Sequence, residues 1–75
     1  MNSYNKFINF LNNNKPEGVN EVKDLKSKIY EHGYDSLDLM TLLLDIETEF
    51  KIKIKENEVD KIKSFEDLYN LIRTD

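Results

Sequence analysis

Ser36 sits in the stretch Gly33-Tyr34-Asp35-Ser36-Leu37-Asp38-Leu39-Met40, a hydroxyl between two carboxylates in a chain with few other reactive groups. Two uses compete for it. Asp35-Ser36 can be an ordinary helix cap, or Ser36 can be a handle to which a group is attached. Hydrolysis would need a base beside the serine, and His32 is the only histidine, four residues earlier and across a glycine. That spacing does not give the geometry of an oriented nucleophile and base. Asp35, Asp38 and Asp45 lack the glycine-centred loop of a calcium site and spread over helical turns, so they read as a solvated face. Gly18 and Gly33 are too far apart to cradle a phosphate between them. The chain has no cysteine, which removes disulfides, thiolate zinc sites and a cysteine nucleophile, and agrees with a cytoplasmic location.

The local physics separates cap from handle. With Asp35 as N-cap, its carboxylate accepts from a free N–H of the first turn, and Asp38 falls at the third helical position, where an acid favours the helix dipole. Ser36 is then the first helical residue. Its hydroxyl is not needed for the cap and projects into solvent ahead of Leu39 and Met40, both expected to face inward. A phosphate attached there would lie beside the positive end of the helix.

The element that carries this site runs from Ser36 to Phe50 and is the strongest helix in the sequence. At 100° per residue, Leu39, Leu42, Leu43, Ile46 and Phe50 form a wide apolar arc. Asp38, Thr41, Asp45, Thr48 and Glu49 lie opposite, with Leu37 and Leu44 at the border and Met40 deeper. An earlier amphipathic helix carries Tyr4, Phe7, Ile8 and Leu11 at i, i+3, i+4, i+7, with Phe10 off the stripe. It should stop within Asn12-Asn13-Asn14-Lys15-Pro16-Glu17-Gly18. Val19 to Glu31 reads as a long loop with a helical turn or two, holding Val22, Leu25 and Ile29. Lys51-Ile52-Lys53-Ile54-Lys55 alternates but has no strand to pair with, which predicts an extended connector with both isoleucines inward. Glu56 to Ile62 allows at most two helical turns. Ser64-Phe65-Glu66-Asp67 resembles a capping box and opens a last helix with Phe65, Leu68, Tyr69 and Ile72 on one face. The fold class is all-α: a small bundle of three main helices and one short one around a single core.

Seventy-five residues predict one domain over 1–75, since a chain this short buries only about 60% of its unfolded surface. An apolar share of 39% with 35% charged residues describes a folded, soluble chain, and no apolar run is long enough to span a bilayer. Of fifteen acids, six (Glu31, Asp35, Asp38, Asp45, Glu47 and Glu49) fall between Tyr30 and Phe50, where there is no lysine or arginine. The other nine face eleven bases, so the acidity belongs to one element. Such a field repels nucleic acid and attracts basic protein surfaces.

The stretch Gly33-Tyr34-Asp35-Ser36-Leu37-Asp38, the Leu-rich acidic helix with Glu47-Thr48-Glu49-Phe50, the connector Phe50-Lys51-Ile52-Lys53-Ile54, the short helix and the last helix opened by Ser64-Phe65-Glu66-Asp67 together resemble the acyl carrier protein family over nearly the whole chain. The resemblance implies that Ser36 receives 4′-phosphopantetheine from coenzyme A through a phosphodiester, and that the thiol of that arm holds acyl chains as thioesters. Reactive sulfur then comes from a cofactor, and the protein is a carrier, not an enzyme. It further implies a recognition role for the central helix, to which Asp35, Leu37, Asp38, Leu44, Asp45 and Glu49 correspond, the acids steering partners and the leucines anchoring them.

The implied partners are a phosphopantetheinyl transferase, an acyl-loading ligase or acyltransferase, and ketosynthase-type enzymes of fatty-acid or polyketide synthesis, with the carrier a monomer and neither nucleic acid nor membrane bound. Thr41 replaces an acid common in fatty-acid carriers, His32 a common leucine, and Lys55 a frequent proline. The alternatives are an aminoacyl carrier (D-alanyl or peptidyl) serving an adenylating ligase, a plain helical interaction module, and a minimal serine hydrolase. Asp35 favours the acyl branch, because peptidyl carriers more often have a histidine-containing motif before the serine. The Asn- and Lys-rich composition suggests a low-GC bacterial gene.

Overall fold

The computed structural model describes residues 3–72, in which α1 (Ser3–Asn13), α2 (Ser36–Phe50), α3 (Glu56–Val59) and α4 (Phe65–Ile72) follow in order, with a 3₁₀ turn at Tyr30–His32. The all-α fold expected from the periodicities is the one observed. Phe7 and Leu11 of α1, Leu39, Leu42, Leu43 and Ile46 of α2, and Phe65, Leu68 and Ile72 of α4 are buried together. Tyr4 ends the α1 stripe 40% exposed, its ring edge-on to Tyr69. Phe10, off the stripe, is half-buried edge-to-face on Phe50.

Residues 14–29 are a loop with turns at Glu17–Gly18 and near Leu25 and an isolated antiparallel bridge from Lys28 to Ser64, less helix than the spacing of Val22, Leu25 and Ile29 suggested. Those three and Val19 are nonetheless buried, so the loop contributes core without periodic backbone. Two devices satisfy its backbone groups. The Asn12 side chain accepts from Val22 N–H (2.7 Å) and donates to Val22 C=O (2.9 Å), as a neighbouring strand would. At the other end the loop stitches onto α4: Ser27 C=O accepts from Phe65 N–H and Leu25 C=O from Glu66 N–H (3.3 and 2.7 Å), while Ile29 N–H donates to Lys63 C=O (3.0 Å). A helix start leaves its first N–H groups unpaired. Here the loop supplies two acceptors and Ser64 Oγ a third, for Asp67 N–H (3.3 Å).

Asp67 completes the predicted capping box by accepting from the backbone N–H groups of Lys63 (2.8 Å) and Ser64 (3.0 Å). These bonds, that of Lys63 first, favour the ionised form and hold the carboxyl below its ordinary pKa of 3.8. A lowered folded-state pKa contributes stability above the unfolded value and loses it as pH falls through the folded one. Asp67→Ala is therefore expected to cost about 1–2 kcal/mol at neutral pH. In urea unfolding series, that cost should shrink as the pH is lowered beneath 3.8.

At its far end α2 stops on Lys51, whose φ of 57° is left-handed and whose N–H donates to Glu47 C=O. Ile52 N–H shares that carbonyl (3.3 Å), and the Glu47 carboxylate accepts from Ile54 N–H (2.7 Å). Glu47 thus lashes the extended connector to α2, with Ile52 and Ile54 half-buried as expected. The connector sets α3 beside α2. That helix is a single turn, shorter than two, and the chain turns again before Ile62 is buried.

Candidate functional site

Gly33 ends the 3₁₀ turn at φ +110°, a backbone state that L side chains rarely adopt. After this reversal Tyr34 drops into the core, 4% exposed with its ring edge-on to Phe65, while Asp35 and Ser36 emerge at the surface. Asp35 is the N-cap of α2. Its Oδ1 accepts from Asp38 N–H (2.8 Å), and Asp38 Oδ2 accepts from Asp35 N–H (3.2 Å), a reciprocal capping box. Ser36 is the first residue of α2 and exposed. Its hydroxyl has no hydrogen-bond partner among the described residues, and the cap engages neither its own N–H nor that of Leu37.

The residues expected to recognise partners spread along α2. Asp35 and Glu49 are exposed, Asp38 and Asp45 half-buried, and Leu37 and Leu44 are 78% and 62% exposed. Met40 corrects the expectation that it faces inward: it is 52% exposed. Its spacing from Leu37 and Leu44 (i, i+3, i+7) marks a second apolar ridge beside the buried arc, and that spacing was available as a signal. The ridge leads into a groove of about 280 Å³ lined by Met40, Leu43, Leu44, Glu47, Ile54, Glu56 and Val59, between α2 and the connector with α3. Ile54 and Val59 enter this site only through the fold.

His32 is engaged elsewhere. Its Nε2 lies 2.9 Å from Glu21 C=O, which can only accept, so that nitrogen carries a proton, and its ring stands edge-on to Phe65. This is a packing role. Among the described residues no group of three or more His, Cys, Asp or Glu could hold a metal ion, and no helix is long and apolar enough to cross a membrane.

A profile of the phosphopantetheine attachment site family matches residues 17–72. The chain is also 38% identical over 53 residues to an acyl carrier protein of Clostridium acetobutylicum, covering 71% of this chain and 69% of that one. It belongs to the acyl carrier protein family. Carrier relatives from Campylobacter concisus (41% identity over 49 residues, 64% of each chain) and Thermotoga maritima (37% over 57 residues, 73% of this chain and 70% of that one) are similar to it as well. No solved structure gives a significant match. Carriers of this family are not catalysts, and their cofactor is a covalently attached 4′-phosphopantetheine. The exposed, unbonded hydroxyl of Ser36 at a helix start with free N–H groups fits such a group.

Proposed function

We propose that residues 1–75 act as one cytoplasmic carrier domain, monomeric, whose Ser36 bears the 4′-phosphopantetheine and which holds fatty-acyl or polyketide-type intermediates. The observation that carries this reading is the division of labour at the start of α2: Asp35 and Asp38 complete the cap, and the Ser36 hydroxyl is left exposed. On attachment, Ser36 Oγ bonds the phosphorus next to the pantetheine of coenzyme A and yields its proton to a base of the transferase. The pyrophosphate P–O bond breaks, with adenosine 3′,5′-bisphosphate as the leaving group. The bound arm supplies a thiol for thioester chemistry. An acyl rather than aminoacyl cargo is favoured by the apolar lining of the α2–α3 groove, which suits an alkyl chain.

Incubation with coenzyme A and a phosphopantetheinyl transferase should add one phosphopantetheine and one titratable thiol to this cysteine-free chain, read by intact mass and thiol assay. No addition with any of several transferases would overturn the reading.

Recognition by the transferase rests on the acids of α2. Asp38 also serves the cap, so the cleaner probes are Asp45 and Glu49, which lie outside it. Replacing both by lysine should slow modification by about tenfold or more at low ionic strength, with the difference shrinking in salt. Helicity by circular dichroism should stay unchanged. Equal rates at low salt would reduce these acids to a solubility role.

A further inference from the structure

Glu47 holds the end of α2 and the wall of the groove through separate groups. Its main-chain carbonyl accepts from Lys51 and Ile52 N–H, which closes the helix whatever the side chain is. Its carboxylate reaches sideways, Oε2 accepting from Ile54 N–H at 2.7 Å. Ile54 and Val59, which line the groove opposite α2, are only half-buried, and the single turn of α3 carries no fully buried residue. A wall with so little burial of its own is the kind that opens locally, and the carboxylate bond ties it to the helix. Met40 lines the same groove four residues beyond Ser36, about 6 Å along one face of α2, so the groove opens one turn from the exposed hydroxyl. Two acids stand among the apolar lining, Glu47 and Glu56, and neither makes an ion pair among the described residues.

We propose that Glu47 determines which cargo the carrier shelters: its bond to Ile54 N–H keeps the groove in shape for an alkyl chain, and its charge, with that of Glu56, turns away chains that end in a carboxylate. This rests on the reading of Ser36 as the attachment site and of the groove as the seat of an alkyl chain. A neutral chain gains by leaving water along the apolar lining. A terminal carboxylate brought into the same groove loses hydration and meets two like charges, with no cation among the lining residues to offset them. A seated chain draws its thioester against the protein, where a nucleophile from solvent reaches it less readily. The side chain of Glu47 thus acts twice, as the tie that holds the wall and as part of the charged rim.

The test loads wild type, Glu47→Gln and Glu47→Ala with acetyl, decanoyl, or sebacoyl, the last being the decanoyl chain ending in a carboxylate. Each is attached from its acyl-coenzyme A by a phosphopantetheinyl transferase and confirmed by intact mass. Thioester cleavage by hydroxylamine is then measured, each rate divided by that of the same acyl-coenzyme A. In wild type, decanoyl should be cleaved about fivefold more slowly than acetyl, and sebacoyl at close to the acetyl rate. Glutamine keeps an acceptor for Ile54 N–H and drops one charge, so Glu47→Gln should still shelter decanoyl and should slow sebacoyl cleavage by about threefold. Glu47→Ala removes the tie. Its Ile54 amide should exchange with deuterium about tenfold faster or more, and decanoyl should be cleaved at the acetyl rate. Helicity should hold, because the main-chain bonds of Glu47 remain. Decanoyl sheltered equally in Glu47→Ala, or sebacoyl cleaved alike in wild type and Glu47→Gln, would overturn the role of Glu47 while leaving the carrier reading intact. Unsheltered decanoyl in the wild type would overturn the groove as its seat, and absence of any mass addition would overturn Ser36 as well.

Discussion

Ser36→Ala is expected to stay folded and to lose phosphopantetheine addition completely. The side chain is exposed and outside the reciprocal Asp35–Asp38 cap, and alanine suits a first helical turn, so the change in stability should stay within about 0.5 kcal/mol. Loss of the mass shift cannot then be ascribed to unfolding, and matched denaturation curves for the two proteins establish that control. Other hydroxyls on α2 are poorer candidates. Thr48 Oγ1 donates back to Leu44 C=O (3.1 Å), and Thr41 lies mid-helix, away from the free N–H groups of the first turn. Mass addition that survives in Ser36→Ala would move the attachment to another residue.

Phe65→Ala is expected to give the largest loss of stability. Phe65 is fully buried, its ring meets the edges of both His32 and Tyr34, and its N–H is tied to Ser27 C=O. Removing a buried phenyl ring costs about 3–5 kcal/mol through lost burial and the cavity left behind. A chain of 75 residues has a total stability on the order of 4–11 kcal/mol, so the variant should lose about a quarter of it or more. Phe65 is also the floor beneath the turn that presents Asp35 and Ser36. Modification should consequently slow in Phe65→Ala even at temperatures where circular dichroism shows a folded protein. Urea unfolding gives the first number and transferase kinetics the second. A loss below about 1 kcal/mol would show that the ring is not the keystone its contacts indicate.

The start of α2 is built from groups that are nearly all local in sequence. Asp35 and Asp38 form a cap around an exposed Ser36 within four residues, and cap chemistry is readable because the spacing that satisfies the N–H groups of a helix start is the same in any fold. The bounds of α2, the capping box of Ser64 and Asp67, and the extended connector are legible for the same reason. The acidic face of α2 is legible as well, since it depends only on which residues share one side of a helix.

Other features depend on what meets what. Val19, Val22, Leu25 and Ile29 are core residues on an irregular backbone, and no period announces that, because Asn12 and the start of α4 satisfy the loop's hydrogen bonds from a distance. Met40 stands exposed although the pattern of α2 could bury it, since α3 is held aside by the Glu47 to Ile54 bond and leaves a groove in place of a closed contact. Tyr34 is buried because a left-handed Gly33 turns the chain and Phe65 arrives from another helix to receive the ring. Sequence alone thus determined the helices, the cap and the exposed serine, which obey short-range geometry. The tertiary structure decided which apolar side chains are covered and left the Tyr34 hydroxyl in the core without a partner among the described residues, because burial is a property of neighbours that only folding brings together.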